Sequence, residues 1–130
     1  MGVLRKVPRK ELVFYIHAYQ SFLWNDAAER TVAGELKIVG FASKVSDPVL
    51  EEVILKEDVK PSDFIIREFP ELSSEGGVRK VWVDAKELKV GFLEDDDLHP
   101  GKKKVVLEFF LPAGCYATEF IRQNVSRLGV

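Results

Sequence analysis

PRKELVFYIHAYQSFLWNDAAERTVAG, from Pro8 to Gly34, has no internal proline and no glycine before its end. Pro8 suits the first turn of a helix and Gly34 lies just past an end, so the stretch predicts one long helix over Arg9 to Val32. Its apolar residues are Leu12, Val13, Phe14, Tyr15, Ile16, Ala18, Tyr19, Phe22, Leu23 and Trp24. At 3.6 residues per turn they cover every face of the middle of the helix. A surface helix of a small domain shows one apolar stripe. This one calls for cover on more than one side.

Working outward, ELKIVGF (Glu35 to Phe41) predicts a short strand. Asp47 and Pro48 open a second helix as cap and first residue, with Leu50, Val53 and Ile54 on its apolar side. Pro61-Ser62-Asp63 predicts a further short helix through about Phe69, stopped by Pro70. Ser73 to Gly77 reads as a loop. VRKVWVD (Val78 to Asp84) and Leu88 to Leu93 predict strands, and Asp95 to Gly101 a turn. In KVVLEFFL (Lys104 to Leu111), Val105, Leu107, Phe109 and Leu111 share one face, and Val106, Glu108 and Phe110 the other, the pattern of a central strand. Ala117, Phe120, Ile121, Val125 and Leu128 recur at helical spacing. The class is α+β: a mixed, mostly antiparallel sheet with a long N-terminal helix and a C-terminal helix.

The 130 residues, 46% hydrophobic and 31% charged, fit a single globular domain over 1–130. A net charge of −2 does not announce a nucleic-acid binder, so any RNA-facing surface must be a local patch. One cysteine permits no internal disulfide, and no segment reads as a signal peptide or a membrane span. Cytoplasm is the expectation, with no membrane partner. One cysteine and two distant histidines, His17 and His99, fall short of a zinc site. Asp95-Asp96-Asp97 lacks the spaced ligands of a calcium loop. No metal site and no cofactor are expected.

LPAGCYATEFIRQN (Leu111 to Asn124) carries the candidate chemistry. Pro112 ends a strand and Gly114 permits a sharp bend. The first N–H groups of the next helix favour anions, and Tyr116 offers a face for stacking on a base. The corner reads either as a pocket wall for a nucleotide or as an ordinary strand-to-helix turn with a buried tyrosine. Cys115 reads as a small packing residue or as a nucleophile at a helix start. Lys102, Lys103 and Lys104 form one basic run, and Arg5, Lys6, Arg9 and Lys10 another. Such runs are solvated faces unless RNA binding is supported otherwise.

Two of these stretches carry a resemblance. HAYQSFLWN (His17 to Asn25) and LPAGCYATEFIRQN resemble, in order, two motifs of the TruD family of tRNA pseudouridine synthases, and EGGVRKVWVDAKELKV (Glu75 to Val90) is similar to the segment before the last strand in archaeal members. The resemblance implies isomerisation of a uridine in tRNA to pseudouridine, with an aspartate as nucleophile and no metal or organic cofactor. It implies a sheet-based core with an inserted domain and RNA between them. It places Gly114, Cys115, Tyr116, Ala117 and Arg122 at the substrate, with Tyr116 beside the target base and Thr118 in the surrounding turn. Lys102, Lys103 and Lys104 become the candidate RNA contacts. Gln20, Ser21 and Asn25 match the long-helix motif in a structural role. Cys115 stands where serine is common, and Gln123 where a glutamate usually follows the arginine.

The family's aspartate lies in a Gly-x-Lys-Asp-Arg-like stretch, which these 130 residues lack; Asp84 has no such flanks. The chain therefore resembles the latter part of the inserted domain (about 1–100) plus the final strand and helix of the core (about 101–130). The expectation is a fragment or truncated relative with no catalytic residue of its own, inactive alone. It would associate with itself as a dimer or other homo-oligomer, or with a complementary chain carrying the aspartate. The alternative is a non-catalytic RNA-binding or assembly protein.

Overall fold

In the computed structural model, which describes residues 2–127, the long helix forms as α1, Arg9–Ala28. Pro8 sits one place before the first turn as the N-cap, its carbonyl accepting from the N–H groups of Glu11 and Leu12 at 3.0 and 3.3 Å. The helix stops short of Val32 because Thr31 is claimed elsewhere. Its hydroxyl donates to Asp47 Oδ2 at 2.7 Å and accepts from the Ala33 N–H at 3.1 Å, which turns the backbone out of the helix.

Contacts divide the chain into two compact units, Met1–Trp82 and Val83–Val130.

In the first unit, α1 buries one stripe, Gln20, Leu23, Trp24 and Ala27, against Leu36, Val39, Leu50, Val53 and Phe64. Ile16, Tyr19 and Ala28 pack at its margin. Its other faces stay apolar and open: Phe14, Tyr15 and Phe22 are 66%, 62% and 51% exposed. Cover comes from one side only. Strand β1 (Glu35–Ile38) pairs antiparallel with β2 (Gly77–Lys80), Glu35 opposite Lys80 and Ile38 opposite Gly77. β1 ends before Phe41 because the backbones cross at Gly40. A Cβ there would lie 2.2 Å from the Gly76 nitrogen, and Gly76 itself has φ +90°.

Helix α2 (Pro48–Lys56) starts as the sequence indicates. Asp47 caps it, accepting from the N–H groups of Val49 and Leu50, both at 3.0 Å, and Leu50 and Val53 are buried. The helix expected from Pro61 is a single 3₁₀ turn, Pro61–Phe64. The chain then extends at Ile65, where the Ile66 N–H donates to Ser73 Oγ at 2.8 Å instead of continuing the helix. Pro70 opens a further 3₁₀ turn, Pro70–Leu72, rather than stopping a helix, because its fixed φ suits a first helical position.

The second unit contains β3 (Lys86–Val90), β4 (Glu94–Asp95), β5 (Lys103–Lys104), β6 (Leu107–Phe110) and α3 (Ala117–Asn124). β3 pairs with β6 and β4 with β5, both antiparallel. The β3 register shifts between Lys86 and Lys89, where Glu87 takes φ 54°. The expectation that β6 is central is corrected: among the described residues β3 is its one partner, and Val106 and Phe110 are 67% and 60% exposed. α3 is anchored by Phe120, whose ring lies 4.5 Å from that of Phe109. Val125 falls just after α3, and Leu128 lies outside the described residues. Among the described residues of this unit, none is buried. Helices with small antiparallel sheets make the class α+β, as read.

Candidate substrate corner and basic hairpin

β6 delivers the chain to Leu111, and Pro112-Ala113-Gly114 then turns it into α3. The Cys115 N–H donates to the Pro112 carbonyl at 3.2 Å, closing the turn. Gly114 has φ +84°, a left-handed conformation that favours glycine. A Cβ there would meet nothing within 4 Å, so the backbone angle, not a crowded neighbour, requires the glycine. Tyr116 is the N-cap of α3, with extended backbone; its carbonyl accepts from the Phe120 N–H at 3.2 Å. Tyr116 is 72% exposed, which overturns the reading of a buried tyrosine and leaves its aromatic side chain open to a planar partner. Cys115 is half-buried, and Ala117 and Thr118 are exposed.

Arg122 forks onto Glu119: Nε donates to Oε2 at 2.8 Å and Nη2 to Oε1 at 2.6 Å. Gln123 Nε2 donates to the same Oε1 at 2.8 Å and supports the pair. The Arg122 and then the Gln123 hydrogen bonds pull the Glu119 carboxyl down to about 2. Glu119 was not singled out in the sequence; its (i, i+3) spacing from Arg122 is the signal that marks it.

The lysine run lies on a different feature. Lys103 and Lys104 form β5, and their ammonium groups pair with Asp95 and Asp97 across the turn. His99 Nδ1 lies 2.9 Å from Asp96 Oδ2. Hydrogen bonds from the Leu98 N–H and the His99 ring hold Asp96 below the usual carboxylate range, and the Lys104 bond does the same for Asp97. The acidic and basic runs are two sides of one hairpin. Their opposite signs flanking a Pro-Gly turn were the sequence signal for that pairing.

Two shallow, open grooves lie in the first unit. The larger, ≈ 440 Å³ and open, runs along Glu35, Leu36 and Lys37 to Asp47 and Val78. Neither is lined by the corner. Among the described residues no three His, Cys, Asp or Glu side chains group to hold a metal ion, and no helix is long and apolar enough to cross a membrane.

Residues 38–124 match the family model for tRNA pseudouridine synthase D (TruD). A probable tRNA pseudouridine synthase D from Methanosarcina acetivorans is 40% identical over 84 residues, covering 64% of this chain and 18% of that protein. Its counterpart from Methanopyrus kandleri is 26% identical over 152 aligned positions, covering 100% of this chain and 36% of the relative. The crystal structure of a putative TruD from Methanosarcina mazei superposes with a TM-score of 0.74 at 25% identity, covering 94% of this chain and 40% of that one. The chain thus spans well under half the length of these relatives. With both motif stretches on the elements just described and the family model matching more than half of its residues, this chain belongs to the TruD family of tRNA pseudouridine synthases.

Proposed function

We propose that these residues supply one part of a TruD-type synthase that converts uridine to pseudouridine in tRNA: the latter part of the inserted domain and the last strand and helix of the core. The carrying observation is that the family match runs through the corner to residue 124, while no Gly-x-Lys-Asp-Arg-like stretch occurs in the 130 residues. In this reading the exposed Tyr116 ring stacks on the target base, Gly114 sets the bend that presents it, and Cys115 and Ala117 form a small-residue wall. Arg122 is positioned by Glu119 and Gln123. The aspartate that attacks the ribose lies outside these 130 residues, in the rest of the synthase, and acts without metal or organic cofactor, in the cytoplasm.

An unburied second unit supports a partner. Val83, Leu88, Val90, Phe92, Leu93 and Phe110 are all more than a third exposed, a surface that favours association. In these 130 residues by themselves, two copies cover this surface for each other. A purely RNA-binding role resting on Lys102 to Lys104 is weakened by the pairing of Lys103 and Lys104 with carboxylates.

The test is pseudouridine formation on tRNA by the pure chain, and by its mixture with a chain bearing the aspartate segment. Turnover is expected only in the mixture. Turnover by these 130 residues alone overturns the assignment of the nucleophile to a segment outside them.

A further inference from the structure

We propose that the N-terminal end of α1, with the 3₁₀ turn Leu4–Lys6 before it, is a contact surface for a single-stranded stretch of RNA, outside the corner that holds Tyr116. The inference deepens the synthase reading and rests on it for the kind of partner.

Arg5, Lys6, Arg9 and Lys10 are all exposed, and among the described residues none of them has an ion pair. The lysines of the hairpin, in contrast, are neutralised where they stand. Between Arg5 and Asn25 the sequence holds one acidic residue, Glu11, in a protein whose net charge is −2. The positive charge is therefore concentrated at one end of one helix. Helix stability does not explain it, because cations in the first turn oppose the helix dipole. About one turn further on, Phe14 and Tyr15 are 66% and 62% exposed, their rings edge to face with centroids 6.0 Å apart. Lys10 and Phe14 stand four residues apart and share a helix face. Unpaired cations beside open aromatic rings are what a flexible polyanion with stackable bases requires. A purely apolar protein partner would leave the cations unmatched, so charge complementarity favours RNA.

The test measures binding of a fluorescein-labelled single-stranded oligouridylate to the full chain by anisotropy, between about 50 and 200 mM salt. Changing Arg5, Lys6, Arg9 and Lys10 together to Ala is expected to lower the slope of log affinity against log salt by about 3. Phe14→Leu keeps apolar bulk and is expected to weaken binding at least about fivefold through lost stacking. Lys102→Ala with Lys103→Ala and Lys104→Ala is expected to change the slope by about 1 or less, since two of the three are already paired. An unchanged slope in the quadruple variant overturns the inference, as does a larger loss in the lysine triple. So does unchanged oligonucleotide binding by Phe14→Leu together with a fall in its mass from dimer to monomer, which would give the face to a protein partner. Failure here is distinct from failure of the synthase reading: no oligonucleotide binding with an active two-chain mixture removes only this surface. An inactive mixture that still binds through these four residues removes the reading instead.

Discussion

Gln20 is 4% exposed in the middle of α1, and both of its amide hydrogens are used. Nε2 donates to the Val39 carbonyl at 2.7 Å and to Ser74 Oγ at 2.8 Å. One side chain therefore ties the helix to the end of β1 and to the loop before β2. Gln20→Met keeps length and apolar stem but removes both donors. Two hydrogen bonds contribute about 0.5–1.5 kcal/mol each, and leaving the buried Val39 carbonyl without its partner costs about 1–3 kcal/mol. The expected loss is about 2–4 kcal/mol, since these terms overlap. Ser74→Ala removes only one acceptor, and its coupling to Gln20 in a double-mutant cycle should be about 0.5–1.5 kcal/mol. The assay is urea unfolding followed by Trp24 fluorescence in a Trp82→Phe background, because Trp24 is buried in this core while Trp82 is 69% exposed. With a urea slope of about 1 kcal/mol/M, the midpoint should fall by about 2 M or more, far enough to unfold a marginal variant in water. Ser74→Ala remains readable in that event. A Gln20→Met midpoint within about 0.3 M of the parent refutes the reasoning. Additivity of the two substitutions within about 0.3 kcal/mol shows that the Ser74 bond contributes nothing.

Gly40→Ala should cost about 3 kcal/mol or more, because the added Cβ meets the Gly76 and Glu75 backbone and neither can swing aside. Gly34→Ala, with nothing within 4 Å, should change stability by less than about 1 kcal/mol, and equal thermal midpoints for the two would contradict this account. Asp47 is held below the usual carboxylate range, first by the Thr31 hydroxyl and then by the α2 N–H groups. Its contribution is therefore fully present above the unfolded value of about 3.9 and is lost as pH falls through the lower folded one. Asp47→Asn should flatten that acid limb of a stability–pH curve, and an unaltered limb counts against the cap. Amides of the second unit should exchange faster than those of Leu23, Leu50 and Val53 and gain protection when the complementary chain is added; slow exchange in the isolated chain would remove the argument for a partner. Light scattering at micromolar concentration should give more than the monomer mass, and a clean monomer would argue against self-association.

The sequence alone determined the elements with local causes. Asp47-Pro48 started a helix because a cap and a fixed φ act within one turn. The run without glycine or internal proline from Arg9 made α1, and Gly114 marked the bend before α3. The motif order pointed to the family. Tertiary structure decided what depends on distant partners. Thr31 ends α1 because Asp47, 16 residues on, takes its hydroxyl. β1 stops where Gly40 meets Gly76, and the Pro61 helix gives way when Ser73 captures the Ile66 N–H. Tyr116 proved open rather than buried, β6 proved to have one neighbour rather than two, and the hairpin lysines proved to be occupied by Asp95 and Asp97. Residue type and spacing fix what a side chain can do with its near neighbours. Which distant group reaches it, and whether water does, is set only when the chain has folded.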